Sequence, residues 1–342
     1  MSCRGGPLVE TPRGVLENQQ EKTMREKVNH AQRMTDQLKA LLEPIAAAVA
    51  EDSDINASDF VLPFQGCTGR PTNPATGHRA TGTNALIAMM KGCNHYSTFD
   101  GWQQLGYFVN TPADFYLMRP MSARRGEAVD SATGDVTPIY ATIGFTSYPV
   151  WSFESVRENV RVTMGKRDKH PIPAQRWLPP AFKRQDDTHI IATVDNFIAN
   201  TNAVIREHGD GRAFYAPALD TITMPLRELF RATKTSTATE CYYSTKLHEL
   251  GHWTGHKSRL DRLEVSNKKG YAFEELVAEI TAAMLCADLG VSVSLRADHL
   301  QYIKGWLEAL DKDVKFIFSA GAKAQQAVEF LFSLQGDEEV AA

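Results

Sequence analysis

His248-Glu249-Leu250-Gly251-His252 is an H-E-x-x-H pentapeptide. On a helix, residues four apart share a face, so both imidazoles can reach one metal ion while Glu249 stands beside a water held there. That is the arrangement for metal-assisted hydrolysis, with Glu249 as the catalytic general base. Zn2+ suits the donors, one ion per chain, because it takes imidazole and carboxylate and leaves a position for a water whose pKa falls to roughly 7. Another divalent metal could use the same set. The plain alternative is an amphipathic helix with two surface histidines. A third ligand must come from another element, and Glu275 and Glu279 lie four apart in Phe273–Leu289. Two carboxylates on one helical face repel unless a cation or donor compensates. We assign Glu275 as the third ligand and Glu279 as the group holding the free ring nitrogen of His248 or His252; the reverse assignment is the alternative. His256 continues the spacing, but Gly255 is expected to end the helix. His256 then turns away, either toward substrate, behind a ligand or into a purely structural role. Arg259 and Arg262 read as ion-pair partners at the helix end or between domains.

Two helices, Thr239–Gly255 and Phe273–Leu289, must position these groups. Upstream, Ile190–His208 carries helical spacing, and Arg212–Pro225 reads as two short strands about a turn. The strand Asp220–Met224 is expected at a sheet edge, where an extended peptide could add. In the N-terminal half the spacing predicts one helix over Thr23–Val49, bent at Pro44, and another from Asn84. Strands are expected at Phe115–Met118 and Ile139–Phe145, joined through a polar hairpin tip. The pattern predicts an α+β fold of two domains. We draw the boundaries as a flexible leader at 1–20, a first domain at 21–156, a basic linker at 157–189, a second domain at 190–335 and a tail at 336–342.

The 342 residues are 43% hydrophobic and 23% charged, the composition of an ordinary soluble globular protein. No apolar run nears the roughly 18 residues of a membrane span, and no secretory signal is expected at the polar start. Five scattered cysteines read as unpaired thiols in a reducing, cytoplasmic compartment. A net charge of -4 gives no global attraction for nucleic acid, so any such contact must be local. Residues 157–184 offer a positive track that includes Arg167, Lys169, Lys183 and Arg184, with Trp177 as a face for base stacking. The Gly- and Asn-rich stretch from Arg70 through Asn73 and Arg79 to Asn84 could offer charge and backbone N–H groups to phosphate. Trp102 and Tyr107 read as core.

Tyr242–His256, Arg259-Leu260-Asp261-Arg262 and Glu274–Glu279, with Tyr215-Ala216-Pro217 and Asp220–Pro225 upstream, resemble the metallopeptidase-like domain of ArdC-type antirestriction proteins. Pro71–Gly77, Gly82–Leu86 and Thr98-Phe99, with Gly106 nearby, resemble that family's single-stranded-DNA-binding domain; family members usually carry Trp where this chain has Ser97. The resemblance implies a plasmid- or phage-borne protein of the bacterial cytoplasm that protects incoming DNA from host restriction. It also implies a zincin-like domain at 190–335 coupled to a single-stranded-DNA-binding domain at 21–156. A protein substrate in the host restriction machinery would follow from a working peptidase site; no membrane partner is expected. Two rivals stand beside this reading: a non-catalytic single-strand-binding protein with a structural metal, and a cytoplasmic zinc peptidase with no DNA role.

Overall fold

The structure, a computed structural model, describes residues 29–51, 69–129, 133, 135–158, 177–181, 185–209, 211–232, 236–263, 268–291 and 315–336. The fold is α+β. Helix α1 (His30–Glu51) contains Pro44 and buries Met34, Leu38 and Leu42 on one stripe. A two-residue hairpin, β1 (Thr72–Asn73) and β2 (His78–Arg79), leads into α2 (Gly82–Met90), which is buried along most of its length. Next come β3 (Tyr96–Ser97), α3 (Phe99–Gln104) and β4 (Tyr107–Phe108). Thr98 caps α3 by accepting from the Gly101 backbone N–H.

The two strands expected in this half form one long ribbon, β5 (Phe115–Val129) with β6 (Val136–Ser152), antiparallel from Phe115 opposite Val150 to Val129 opposite Val136. Both strands outrun the expectation: β5 continues past Met118 into an exposed stretch without apolar alternation, and β6 extends beyond Phe145 to an inner end where Val150 and Trp151 are buried. β3 joins the inner end of β6, and β7 (Arg157–Glu158) pairs with β4. Trp102 and Tyr107 are buried, as read from the sequence, and form a small aromatic core with Val109 and Trp151.

The second half begins with α4 (Asp187–Thr201). The helical reading of Ile190–His208 is corrected here: α4 stops at Thr201, Asn202 adopts a left-handed conformation (φ 56°), and Val204–His208 is strand β8. The β-branched pair Val204-Ile205 favours the strand, where it pairs in parallel with β10 (Thr221–Pro225). β9 (Phe214–Ala216) lies antiparallel on the other side of β10, giving the order β8-β10-β9. Asp220–Met224 is therefore not at an edge; β10 is the central strand, covered on both sides. Among the described residues three further helices follow: α5 (Ala238–Trp253), α6 (Lys268–Leu289) and α7 (Lys315–Ser333).

Glycine brings the halves together at α2 and α7. A Cβ on Gly321 would stand 2.6 Å from the Thr83 backbone nitrogen, so only glycine permits this approach. The buried side chains of α1, α2 and the ribbon base thereby join those of α4 to α7 and β10 in one hydrophobic cluster.

Candidate metal centre

Helix α5 starts with a capping box: Thr237 and Glu240 satisfy each other's backbone N–H groups. Asp187 accepts from the hydroxyls of Thr237 and Thr239, tying the first turn of α4 to that of α5. The pentapeptide follows in the buried part of α5, with His248 and Glu249 each 4% exposed. Gly251 supplies the approach of the next helix: a Cβ there would stand 3.2 Å from Ala278 Cα. Glu275 and Glu279 lie three residues before and one after that contact, so α6 delivers both to the histidine face.

The ligand atoms converge. His248 Nε2 and His252 Nε2 are 3.2 Å apart, and each is 3.6 Å from an oxygen of Glu275. Ligands at about 2.1 Å around a tetrahedral ion stand roughly 3.4 Å from one another, so the three donors match one small cation with a position left open. Among the described residues, this is the one cluster of three or more His, Cys, Asp or Glu side chains able to hold an ion.

The other ring nitrogens are occupied. His248 Nδ1 meets Glu279 Oε2 at 3.0 Å, and His252 Nδ1 meets Glu274 Oε1 at 3.2 Å. Each carboxylate holds its ring with Nδ1 as the donor and turns Nε2 toward the centre. Burial works against charging either ring. For His248 the hydrogen bonds of Glu275 and Glu279 outweigh it and raise the pKa; for His252 those of Glu274 and Glu275 push it up to about 10. Burial favours the neutral acid at Glu275, but the two histidines prevail and hold its carboxyl well below the usual range. The pocket thus favours cation beside carboxylate, the charge pattern a divalent ion completes.

Glu274 was missed in the sequence. It sits one residue before Glu275, which alone would place it on another face, and its side chain instead bridges His252 and Arg262. Arg262 donates to both Glu274 oxygens at 3.0 Å, to Thr254 Oγ1 and to the Gly251 carbonyl. It therefore closes the C-terminal end of α5 while neutralising Glu274. Arg259 is also an ion pair at the helix end: it binds Asp220, stacks 3.8 Å over the Trp253 ring and donates to the Trp253 carbonyl. This clip fastens the β9–β10 turn to the end of α5. His256 lies beyond the helix, half-buried, with Nδ1 2.7 Å from Ser258 Oγ.

The residues named for nucleic acid are less gathered. Arg70 forms a buried ion pair with Asp288 of α6, and Arg79, half-exposed, approaches the same carboxylate at 3.8 Å. Asn73 Oδ1 accepts from Ala75 N and Ser97 Oγ. Asn84 uses both ends of its amide on the Met118 backbone. Trp177 packs against His95, Trp102 and Phe153. Arg167, Lys169, Lys183 and Arg184 lie outside the described residues.

A family model for zincin-like metallopeptidases matches residues 192–323, which contain the whole metal cluster. Protein y4eC of Sinorhizobium fredii (strain NBRC 101917 / NGR234) is 30% identical over 311 residues, covering 87% of this chain and 93% of y4eC. The crystal structure of the antirestriction ArdC protein from plasmid R388, in its metal-free form, matches with a TM-score of 0.58 at 29% identity, over 88% of this chain and 98% of that one. The chain belongs to the ArdC-type antirestriction family. The R388 ArdC protein was also solved with Mn(II) bound, and that structure matches with the same TM-score at 27% identity. DNA primase TraC of Escherichia coli is 29% identical over 318 residues, but the chain spans only 28% of TraC's length. Among the described residues, no helix of this ArdC-type chain is long and apolar enough to cross a membrane.

Proposed function

We propose that the chain is an antirestriction protein that binds single-stranded DNA through residues 21–156 and carries a divalent metal, Zn2+ by its donor chemistry, on His248, His252 and Glu275. The convergence of His248 Nε2, His252 Nε2 and Glu275 within 4.8 Å is the observation that supports this most. Bound there, the ion would polarise a substrate carbonyl and acidify a water beside it. The remaining work falls to the chain. Glu249, buried next to His248 on α5, would take the proton from that water as it attacks and return it to the leaving amine. Glu279 and Glu274 would hold the imidazoles in the ligating tautomer, and Arg262 would keep Glu274 in place. The substrate class on this reading is a protein of the recipient's restriction machinery. The names of its relatives, an antirestriction protein and a DNA primase, support association with DNA.

The test compares wild type with Glu249→Gln in plasmid transfer into restricting and non-restricting recipients, alongside binding of a labelled single-stranded oligonucleotide. Both proteins should bind metal and oligonucleotide, and only the wild type should protect. Full protection by Glu249→Gln would remove hydrolysis from the reading. No strand binding by wild type at low salt would remove the DNA half.

A further inference from the structure

The outer part of the β5–β6 ribbon carries large apolar side chains that the described residues leave uncovered: Val129, Val136, Tyr140 and Phe145 are 51–65% exposed. They share one face. The register sets Phe145, Tyr140 and Val136 of β6 opposite Pro120, Arg124 and Val129 of β5, with a shift in each strand that keeps these rows on the same side. Met121 lies on the other side, where its Cε stands 3.0 Å from the place of a Gly144 Cβ. The charge on the exposed face is settled within the chain, because Arg124 pairs with Glu127. β6 has no charged residue from Val136 to Ser152, which makes it a poor surface for a polyanion. The edges are poor ones for strand addition. Pro120 on β5 and Pro138 on β6 lack an N–H, and the register shifts interrupt both ladders. A partner must therefore take the face.

We propose that this face is where two copies of the chain meet, ribbon stacked on ribbon. A two-stranded ribbon in water is marginal until a further layer covers it. The partner that is present wherever the chain folds is another copy of it. An isologous contact also demands a patch that complements itself, and an apolar face whose charges are paired internally does so. From Arg119–Val129 and Val136–Thr146, eleven residues on each strand give a face of about 36 by 10 Å. Two such faces cover roughly 700 Å² counted flat and more with the relief of the side chains, the lower end of specific interfaces, so the dimer is a weak one of micromolar affinity.

The experiment follows the mass of the full chain by sedimentation over about 1–100 μM. It compares wild type, the Tyr140→Ser, Phe145→Ser double variant, and Met121→Ser on the opposite face. All three positions are exposed, so folding should be unchanged, which circular dichroism checks. Wild type should pass from monomer to dimer within this range. The double variant should need at least about tenfold higher concentration, each single replacement should give part of that shift, and Met121→Ser should follow wild type. A wild type that stays monomeric throughout would overturn the proposal. So would a dimer that the double variant leaves intact, since it would use another surface. A monomeric wild type whose binding of a single-stranded oligonucleotide is lost in the double variant would give the face to DNA and overturn it as well.

Discussion

The contact between α5 and α6 and the stretch from Arg70 to Asn84 were both marked by residue type, yet they hold their residues in opposite ways. At the helix contact, one carboxylate and two imidazoles meet at one point and two further carboxylates hold the outer ring nitrogens, because helical spacing and the Gly251–Ala278 approach bring the two faces together. In the Arg70–Asn84 stretch the polar groups spread out and much of their capacity is spent on the fold: Asn84 on the Met118 backbone, Asn73 on Ala75 and Ser97, Arg70 on Asp288. Spacing that is tied to a helix encodes a site. Polar composition in a loop encodes hydrogen bonds, whose recipients are set by tertiary structure.

Arg262→Met should break the ordered side of that comparison most severely. It would leave the buried Glu274 carboxyl without its guanidinium partner, a loss of about 3–5 kcal/mol in the stability read from urea unfolding. Double replacement of Arg262 and Glu274 by apolar residues should recover much of the stability but not the orientation of His252, so metal affinity should stay weakened. Recovery of affinity along with stability would show that Glu274 does not position His252.

Gly251→Ala probes the helix approach itself. The added methyl would meet Ala278 at 3.2 Å to Cα and 3.3 Å to its carbonyl oxygen, forcing α6 back at a cost of about 1–3 kcal/mol. Metal affinity, measured by chelator competition, should fall with it. Asn84→Ala sharpens the other side. Losing both bonds to Met118 should cost about 1–2 kcal/mol in thermal or urea unfolding, whereas Arg79→Ala should leave stability nearly unchanged. Equal destabilisation by the two would mean that Arg79 is as structural as Asn84.

The smallest effect concerns the clip between Asp220 and Arg259. Hydrogen bonding from Arg259, against burial, holds the Asp220 carboxyl at about 2, below its ordinary 3.8. A depressed carboxylate stabilises the fold above its unfolded pKa, so the contribution is present above about pH 3.8 and disappears as the pH falls through about 2. Asp220→Asn should lessen the acid-side loss of stability in that window without moving the neutral-pH metal content. An unchanged acid limb would show the pair to be energetically silent, as exposed pairs often are.

The cluster was legible because both pairs, His248 with His252 and Glu275 with Glu279, have a four-residue spacing that a helix converts directly into a shared face. Glu274 was not, since its role depends on Arg262 arriving through the turn after α5. The strand Val204–His208 was hidden because amphipathic spacing continued past Asn202, and only the left-handed cap and the pairing with β10 separate it from α4. The central place of β10 was likewise invisible, because its partner β8 comes from before β9 in the chain. Of the β5–β6 ribbon, the strand Ile139–Phe145 was read although its large apolar side chains are exposed, while the inner end of β6, where Val150 and Trp151 are buried, was not.

The most direct test of the account is the divalent metal content of the purified full chain, compared with that of the His248→Ala, His252→Ala double variant. The account predicts about one ion per wild-type chain and next to none in the double variant, with the wild type losing thermal stability on chelation because binding free energy adds to folding free energy. Stoichiometric metal retained by the double variant would contradict it.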